Sequence, residues 1–490
     1  MNTPRSDARP PQPQPAAASP QPDDAAPPPQ DPRPSDPAPA PAPGQRSLLA
    51  LAWPIFIEMS LHFATLIINM MMVGMVSVEA VAELTVGNQV YDLALTMFSF
   101  INIGVCVVCA QALGAGNQRL VRRLLHQGLG LNVISGLSMT ALIYLLSTAI
   151  VTLMQVPEEI ADSSENYLRI LSLCFLPQAL WLYASSALRA YRFTRQAMYI
   201  SVMINAITVF FNSLFLFGLL GMPVLGVEGV AVSTIIGRII GAAVSTMTVM
   251  RLTGVRLHAR FIFTFRRQVL QAVLGIGLPG ASEHLAWQLQ YMLMTSVAAT
   301  LGAIELATHG IYFQVCLISM LFAISVAMGT EILIAGYVGA QQLEQAYRQL
   351  MRSVRIGLAA TLAIAATVPL GTGQLLVSLF TDHAGVLAAA APLFFLTTVM
   401  EPGRILNIII INSLRAAGDT RFPLLMAVIS MWGVSVPIGM FLALHTGLGL
   451  LGIWIGFCCD EWVRGIAMLL RWRSRVWMSR ARELHARHLA

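Results

Sequence analysis

Residues 48–73 read LLALAWPIFIEMSLHFATLIINMMMV, a stretch that is apolar almost throughout. A helix of about 20 such residues crosses the hydrocarbon core of a membrane, which is about 30 Å thick. Because backbone N–H and C=O groups in lipid must be hydrogen-bonded within their own segment, a stretch of this length predicts a transmembrane α-helix. The shorter segments of alternating polarity that form membrane β-barrels do not occur in this sequence.

Eleven further apolar stretches follow along the 490 residues. They cover approximately residues 87–113, 128–154, 166–188, 197–219, 226–251, 268–299, 308–335, 354–379, 390–412, 422–445 and 448–472. Only 11% of the residues are charged and 56% are hydrophobic, whereas roughly a quarter of the residues of a soluble domain are charged. The sequence therefore predicts an all-α membrane protein with twelve transmembrane helices.

The connections between these stretches alternate in charge. The even-numbered connections and the C-terminus carry arginines, whereas the odd-numbered ones hold or border on acidic residues and contain no arginine. By the positive-inside rule, this alternation places both termini in the cytoplasm. Topology therefore explains the arginines behind the net charge of +6, and we do not expect nucleic-acid binding.

The composition also divides the chain into segments. Residues 1–45 are rich in Pro, Ala, Gln and Asp and predict a disordered cytoplasmic tail, because such a segment cannot bury a core. The predicted N-lobe covers residues 46–255 and the predicted C-lobe covers residues 268–475, with six spans each. A basic cytoplasmic linker at 256–267 joins the lobes, and a basic cytoplasmic C-terminus covers 476–490.

The two halves of the sequence align on each other with a nearly constant offset. The matching pairs run from the first span to the fourth: Pro54 with Pro279, Glu58 with Glu283, Gln89 with Gln314, Ala110 with Ala335, and Arg189 with Arg415. Each half has an even number of spans, so both halves enter the membrane in the same direction. Such parallel repeats are related by an axis along the membrane normal, and substrate is expected at their interface near the midplane.

Several spans carry ionisable or amide side chains, which are costly in lipid and are candidate functional residues by default. The candidates are Glu58, His62 and Asn69 of the first span, Asp92 of the second, Glu283 and His284 of the seventh, and Glu401 of the tenth. The spacing of Glu58, His62 and Asn69 places them on one face of a helix. We expect that face to point into the bundle or into a water-filled cavity.

Two interpretations of the carboxylates remain open. A carboxylate in a cavity of low dielectric constant takes up a proton more readily than in water, so it can hold either a proton or a cationic substrate and couple their movements. Glu58 and Glu283 are the first candidates for this role, and Asp92 and Glu401 the second. Alternatively, a buried glutamate hydrogen-bonds to neighbouring helices and fixes their packing. Two arginines within spans, Arg238 and Arg404, are each expected to pair with a carboxylate.

The sequence lacks the patterns of the common enzyme classes. It contains no G-x-x-x-x-G-K-[ST], H-E-x-x-H or G-x-S-x-G, so neither ATP hydrolysis nor an intramembrane hydrolase is predicted. The histidines lack metal-site spacing, and the six cysteines lie within apolar stretches, where they act as small packing residues. We therefore expect no cofactor, no metal and no enzymatic activity, and we favour a transporter over a channel, which would need a repeated filter motif.

Several motifs resemble those of the multidrug and toxic compound extrusion (MATE) family. The most specific is LRAAGDTRFP at residues 414–423. QALGAG at 111–116 and EPGRILN at 401–407 are shorter, and DEWVRG at 460–465 is similar to one prokaryotic branch. The resemblance covers residues 46–475, and its motifs recur in both halves in the same order.

The resemblance implies a V-shaped pair of six-helix bundles around a central cavity. It also implies a monomer in the bacterial cytoplasmic (inner) membrane that exports small organic, often cationic, compounds against an inward proton or sodium gradient. The family usually carries an aspartate where this chain has Asn69, and an amide does not ionise near neutral pH. Similarly, the family's common glutamate of the seventh helix falls at Trp287, one turn beyond Glu283.

Two other functions remain open within the same superfamily. One is a flippase for lipid-linked oligosaccharides, and the other is a carrier for a narrow set of metabolites. Flippases of this kind commonly line their cavity with arginine, whereas the residues deep in these spans are more often acidic. The acidic bias favours cationic cargo.

Overall fold

The computed structural model describes residues 47–255 and 258–489. The predicted disordered tail at 1–45 lies outside the described residues, as do the first two residues of the predicted linker. Within the described residues, helices joined by short turns make up almost the whole chain.

Seventeen α-helices occupy the described ranges. The first half contains α1 (Leu48–Gly74), α2 (Val78–Gly114), α3 (Gln118–Leu153), α4 (Glu158–Ser172), α5 (Phe175–Ala190), α6 (Thr194–Phe217) and α7 (Gly226–Thr253), followed by the short α8 (Ala259–Ile262). The second half contains α9 (Arg267–Leu301), α10 (Ala303–Gly339), α11 (Leu343–Thr367), α12 (Gly373–Ser378), α13 (Ala384–Ala416), α14 (Arg421–Ser430), α15 (Val436–His445), α16 (Gly449–Arg473) and α17 (Val476–Leu484).

Three spans are each built from two helices. Helices α4 and α5 are bent by 44° relative to each other, just before Pro177. A π-helical turn at Val368–Thr372 separates α11 from α12, and another at Met431–Ser435 separates α14 from α15. A proline lies in or beside each break: Pro177 follows the first, Pro369 lies in the second and Pro437 follows the third. Proline lacks the N–H that would continue the helical ladder, so a break at these positions is expected.

The segments correspond to the twelve predicted spans. Nine described helical segments are long and apolar enough to cross a membrane, and the bent pair α4–α5 makes a tenth. The other two are α9 and α16, whose 35 and 25 residues are long enough but include polar side chains such as Glu283, His284, Asp460 and Glu461. The predicted fold class, an all-α membrane protein of two six-span repeats, is confirmed.

The repeat is visible in how the helices pack. The contacts of α2 with α3, α3 with α5, and α5 with α7 recur as contacts of α10 with α11, α11 with α13, and α13 with α16. Likewise α6 packs on α7 as α15 packs on α16. We use N-lobe for α1–α7 and C-lobe for α9–α16.

The lobes meet through α1 and α2 on one side and α9 and α10 on the other. Backbones approach closely there because glycines face backbone of the opposite lobe: Gly277 lies against the Phe100 carbonyl, and Gly114 against that of Gly336. A Gln111 side-chain amide donates a hydrogen bond across the interface to the Ala416 carbonyl (2.7 Å). The Gly114–Gly336 and Gln111–Ala416 contacts lie at the helix ends next to the arginine-rich connections, and the Gly277–Phe100 contact lies further along these helices.

Two glycines of α9 test this interface as a matched pair. In Gly277→Ala the added Cβ would lie 1.9 Å from the Phe100 carbonyl oxygen, whereas in Gly275→Ala it would meet nothing within 4 Å. The Phe100 backbone cannot move aside without disturbing its own helix, and overpacking of this kind typically lowers the free energy of unfolding by about 1–3 kcal/mol. We expect Gly277→Ala to lower the thermal unfolding midpoint in detergent and Gly275→Ala to leave it unchanged or slightly raised. Equal midpoints for the two variants would contradict close backbone packing between the lobes.

Candidate functional site

The first predicted carboxylate, Glu58, lies in an ion pair. Its Oε1 accepts a hydrogen bond from Arg189 Nη2 at 2.7 Å, and the same nitrogen donates to the Ser185 hydroxyl at 3.0 Å. Glu58 is buried, with only 5% of its surface exposed. This geometry joins α1 to α5 and matches the second of the two roles considered for it, the fixing of helix packing.

His62 and Asn69 lie further along the same face of α1 and line a small cavity inside the N-lobe. Asn69 accepts a hydrogen bond from the amide of Asn212 on α6, at 2.7 Å. The cavity also contains Arg238 of α7, a residue expected to pair with a carboxylate. No ion pair of Arg238 is found among the described residues, so that expected pairing is absent.

Asp92 lies on α2 with an exposed side chain. The structure gives it no ion-pair partner among the described residues, and it does not line the N-lobe cavity. The Thr96 hydroxyl, one turn further along α2, donates its hydrogen bond to the backbone carbonyl of Asp92 and not to the Asp92 carboxylate. The structure thus brings His62 and Asn69 together and leaves Asp92 outside their cavity.

Glu401 of α13 is fully buried in the C-lobe. Its two oxygens accept hydrogen bonds from Arg404 Nη1 at 2.6 Å and from the Ser319 hydroxyl at 2.8 Å. The expected pairing of Arg404 with a carboxylate is therefore confirmed. A buried, fully bonded carboxylate of this kind again matches the packing role.

Glu461 of α16 is a site residue that the sequence analysis did not single out. Its oxygens lie 3.3 Å from Arg404 Nε and 2.8 Å from the Asn407 amide nitrogen, so Arg404 is shared between two carboxylates. The neighbouring Asp460 pairs with Arg464 at 2.5 Å. The signal was present in the DEWVRG motif, which marked the family branch but gave no sign of which carboxylate faces a cavity.

An aromatic wall faces the Arg404–Glu461 pair across a cavity in the C-lobe. Trp287 and Tyr291 stack at 5.7 Å between ring centroids, and Phe313 lies 4.7 Å from Tyr291. Aromatic faces carry partial negative charge and attract cations. The cavity therefore offers an aromatic surface beside a carboxylate.

Glu283 and His284 lie on α9, one turn before this aromatic wall. Glu283 is half-buried and has no hydrogen-bond or ion-pair partner within the described residues, although Arg415 and Arg464 are within electrostatic range. His284 is exposed and stacks on Trp287 at 5.8 Å. Glu58 and Glu401 are each bonded to an arginine, whereas the half-buried Glu283 has no arginine bonded to it within the described residues.

The histidines and carboxylates do not gather into a metal site. No group of three or more His, Cys, Asp or Glu side chains in the described ranges has a geometry that could hold a metal ion. The charged residues of both lobes instead form pairs and small networks with arginine.

Comparison with known proteins gives matches along nearly the whole chain. The family model described as MatE matches twice, at residues 54–214 and 279–441. The uncharacterized transporter YisQ of Bacillus subtilis is 36% identical over 436 residues, which is 89% of this chain and 95% of the relative. The probable multidrug resistance protein NorM of Thermotoga maritima is 25% identical over 443 residues, covering 89% and 94%.

The fold also matches solved structures. One is the outward-facing conformation of a multidrug resistance MATE family transporter of the MOP superfamily, with a TM-score of 0.81. The match covers 89% of this chain and 96% of the other, at 19% sequence identity.

The Glu58–Arg189 pair can be tested by a double-mutant cycle. Removing one partner of a buried pair leaves an uncompensated charge and typically costs about 3–5 kcal/mol. We expect Glu58→Gln and Arg189→Gln each to lower the free energy of unfolding in this range. The double variant, which buries no lone charge, should be more stable than Arg189→Gln alone. Additive losses, measured by unfolding in mixed SDS micelles, would show that the pair does not couple these helices.

Proposed function

Because the chain belongs to the MATE family of membrane transporters, we propose that it is a secondary exporter of organic cations, driven by antiport with protons or sodium ions. Family membership makes it a multi-pass membrane transporter and not an enzyme. Several relatives are named as probable multidrug resistance proteins, which supports a cargo of more than one chemical type.

The observation that carries the proposal is the C-lobe cavity with its aromatic wall. Trp287, Tyr291 and Phe313 present ring faces, and Glu461 supplies a carboxylate at the edge of the same cavity. The cavity encloses about 30 Å³ in this conformation, so it must widen to admit a flat or quaternary cation. Cation–π attraction reaches about 2 kcal/mol when the cation is desolvated, and it tolerates differences in ligand shape. Such a surface suits a broad set of organic cations better than a rigid hydrogen-bonding pocket does.

We assign the coupling step to Glu283. Glu58 and Glu401 are bonded to arginine, so an incoming proton or sodium ion would have to break an ion pair to reach them. Glu283 has no bonded partner within the described residues and is half-buried on the helix that carries the aromatic wall. It can therefore exchange a proton or sodium ion for the positive charge of the cargo, and the two cannot occupy the site together.

The orientation of the lobes follows from the topology we propose, and the direction of transport follows from the proposed antiport with an inward ion gradient. With the arginine-rich ends in the cytoplasm, the closed end of the V faces inward and the lobes open to the outside of the cell. The chain would then reside in the bacterial cytoplasmic membrane as a monomer. Export requires that this closed end separate while the opposite end closes, which gives alternating access between the lobes.

Transport in proteoliposomes tests the assignment. With an acidic or sodium-loaded lumen, outward ion flow through the wild type should drive ethidium into the vesicles. Glu283→Gln should reduce uptake to the level of protein-free vesicles under the effective gradient, because an amide cannot exchange the ion. Glu58→Gln, corrected for the folded fraction, should retain gradient-driven uptake. Glu159→Gln, which changes an exposed carboxylate remote from the cavity, is the matched control.

Two outcomes would count against the proposal. Uptake in Glu283→Gln at the wild-type rate would remove Glu283 from the coupling role while keeping the exporter function. If folded wild-type protein moves ethidium under neither gradient, a flippase or a narrow-substrate carrier becomes the better explanation.

A further inference from the structure

The N-lobe contains a second cavity, of about 40 Å³, whose lining is unusual in charge. Its polar side chains are His62, Thr65, Asn69, Asn88, Asn205 and Arg238, together with two tyrosines and two further threonines. Among the described residues that line it there is no aspartate or glutamate. Arg238 is therefore the one side chain of this lining with a permanent charge, and that charge is positive.

Arg238 is almost completely enclosed, with 6% of its surface exposed. Its Nε and Nη1 have no hydrogen-bond acceptor within the described residues, and its guanidinium lies over the ring of Trp181 at 4.8 Å. Stacking on a ring offsets part of the cost of burial, and Tyr91 interacts with the guanidinium, but the Nε–H and Nη1–H groups remain unbonded. A buried arginine without a counter-charge is costly, so a negatively charged group is expected to complete this site.

A second buried donor belongs to the same cavity. Asn205 of α6 is 7% exposed, and its side-chain Nδ2 has no acceptor among the described residues. Both residues therefore present N–H groups without acceptors, from adjacent helices that pack on each other. Excess donors beside a fixed positive charge are the chemistry of an anion site.

The described carboxylates of the N-lobe form no ion pair with Arg238. Glu58 is bonded to Arg189, and Glu83 accepts a hydrogen bond from Ser163 at 2.6 Å. Asp92 is exposed and forms no ion pair with Arg238. No counter-charge for Arg238 is therefore found among the described residues.

We propose that this N-lobe cavity binds a small monovalent anion through Arg238 and Asn205. A water-sized group has a share of liquid volume of about 30 Å³, so the cavity admits little more than one such group. The fitting chemistry is a compact acceptor, either a free halide or carboxylate ion or the carboxylate end of a transported molecule. The site is separate from the aromatic cation cavity of the C-lobe and does not depend on the direction of transport.

The test measures thermal unfolding of the purified full-length chain in detergent. Sodium chloride, bromide and acetate are titrated at constant ionic strength against a bulky organic sulfonate. An anion that binds only the folded state raises the unfolding midpoint in proportion to the logarithm of its concentration above the dissociation constant. We expect such a rise in the wild type, and its loss in Arg238→Gln.

Two further variants test the anion site if Arg238→Gln folds poorly: one fills the site with a carboxylate, and the other is a control. Asn205→Asp supplies a carboxylate of nearly the same shape beside Arg238, so it should raise the midpoint without added anion and abolish the anion-dependent rise. Arg169→Gln removes an arginine of the same lobe that already pairs with Glu165, and it should keep the full anion response.

The three salts also distinguish the source of the anion. A rise with chloride, bromide and acetate alike supports a site for free small anions, whereas a rise with acetate alone supports a site for a carboxylate group. A response of the same size in wild type and Arg238→Gln would overturn the proposal. So would an Asn205→Asp variant that keeps the response of the wild type.

Discussion

A charged side chain inside a membrane has no water to hydrate it and needs a partner of opposite charge. The rest of this structure depends on how these charges are paired. Most of its intramembrane charges are paired: Glu58 with Arg189, Glu401 and Glu461 with Arg404, and Asp460 with Arg464. The Glu58–Arg189 and Glu461–Arg404 pairs connect different helices and so fix packing within each lobe, whereas Glu401–Arg404 and Asp460–Arg464 lie within single helices. Among the described residues, Glu283, Asp92, Glu331 and Arg238 form no ion pair, and Glu283 and Arg238 are the two for which we propose a mobile partner.

The two lobes pair their corresponding charged residues differently, although they are repeats of one another. Glu58 and Arg189 in the N-lobe correspond in sequence to Glu283 and Arg415 in the C-lobe. The N-lobe pair bonds at 2.7 Å, whereas Arg415 donates to Asn412 at 2.6 Å and leaves Glu283 unbonded. The same two residue types thus form an ion pair in one lobe and leave an unbonded carboxylate in the other.

Small residues determine where the lobes can meet. Gly114, Gly277 and Gly339 allow the backbones of the opposite lobe to approach more closely than any side chain would permit. Such contacts are extensive enough to hold the lobes together, yet they consist of packing with few ionic bonds. An interface of that kind can separate without exposing paired charges to lipid, which suits the alternating access that we propose.

The sequence by itself determined the class, the twelve spans and the repeat, because apolar length, loop arginines and a constant offset are properties of the chain read in order. It also identified most of the polar residues that matter, since charge within a span is visible without coordinates. Which of them are bonded was decided by the tertiary structure. Glu58 and Glu283 look alike in sequence, the pairing expected for Arg238 did not form, and Glu461 was recognised only from its position beside Arg404. The Glu58–Arg189 and Arg404–Glu461 pairs depend on distances between helices separated by more than 50 residues, and no local pattern encodes those distances.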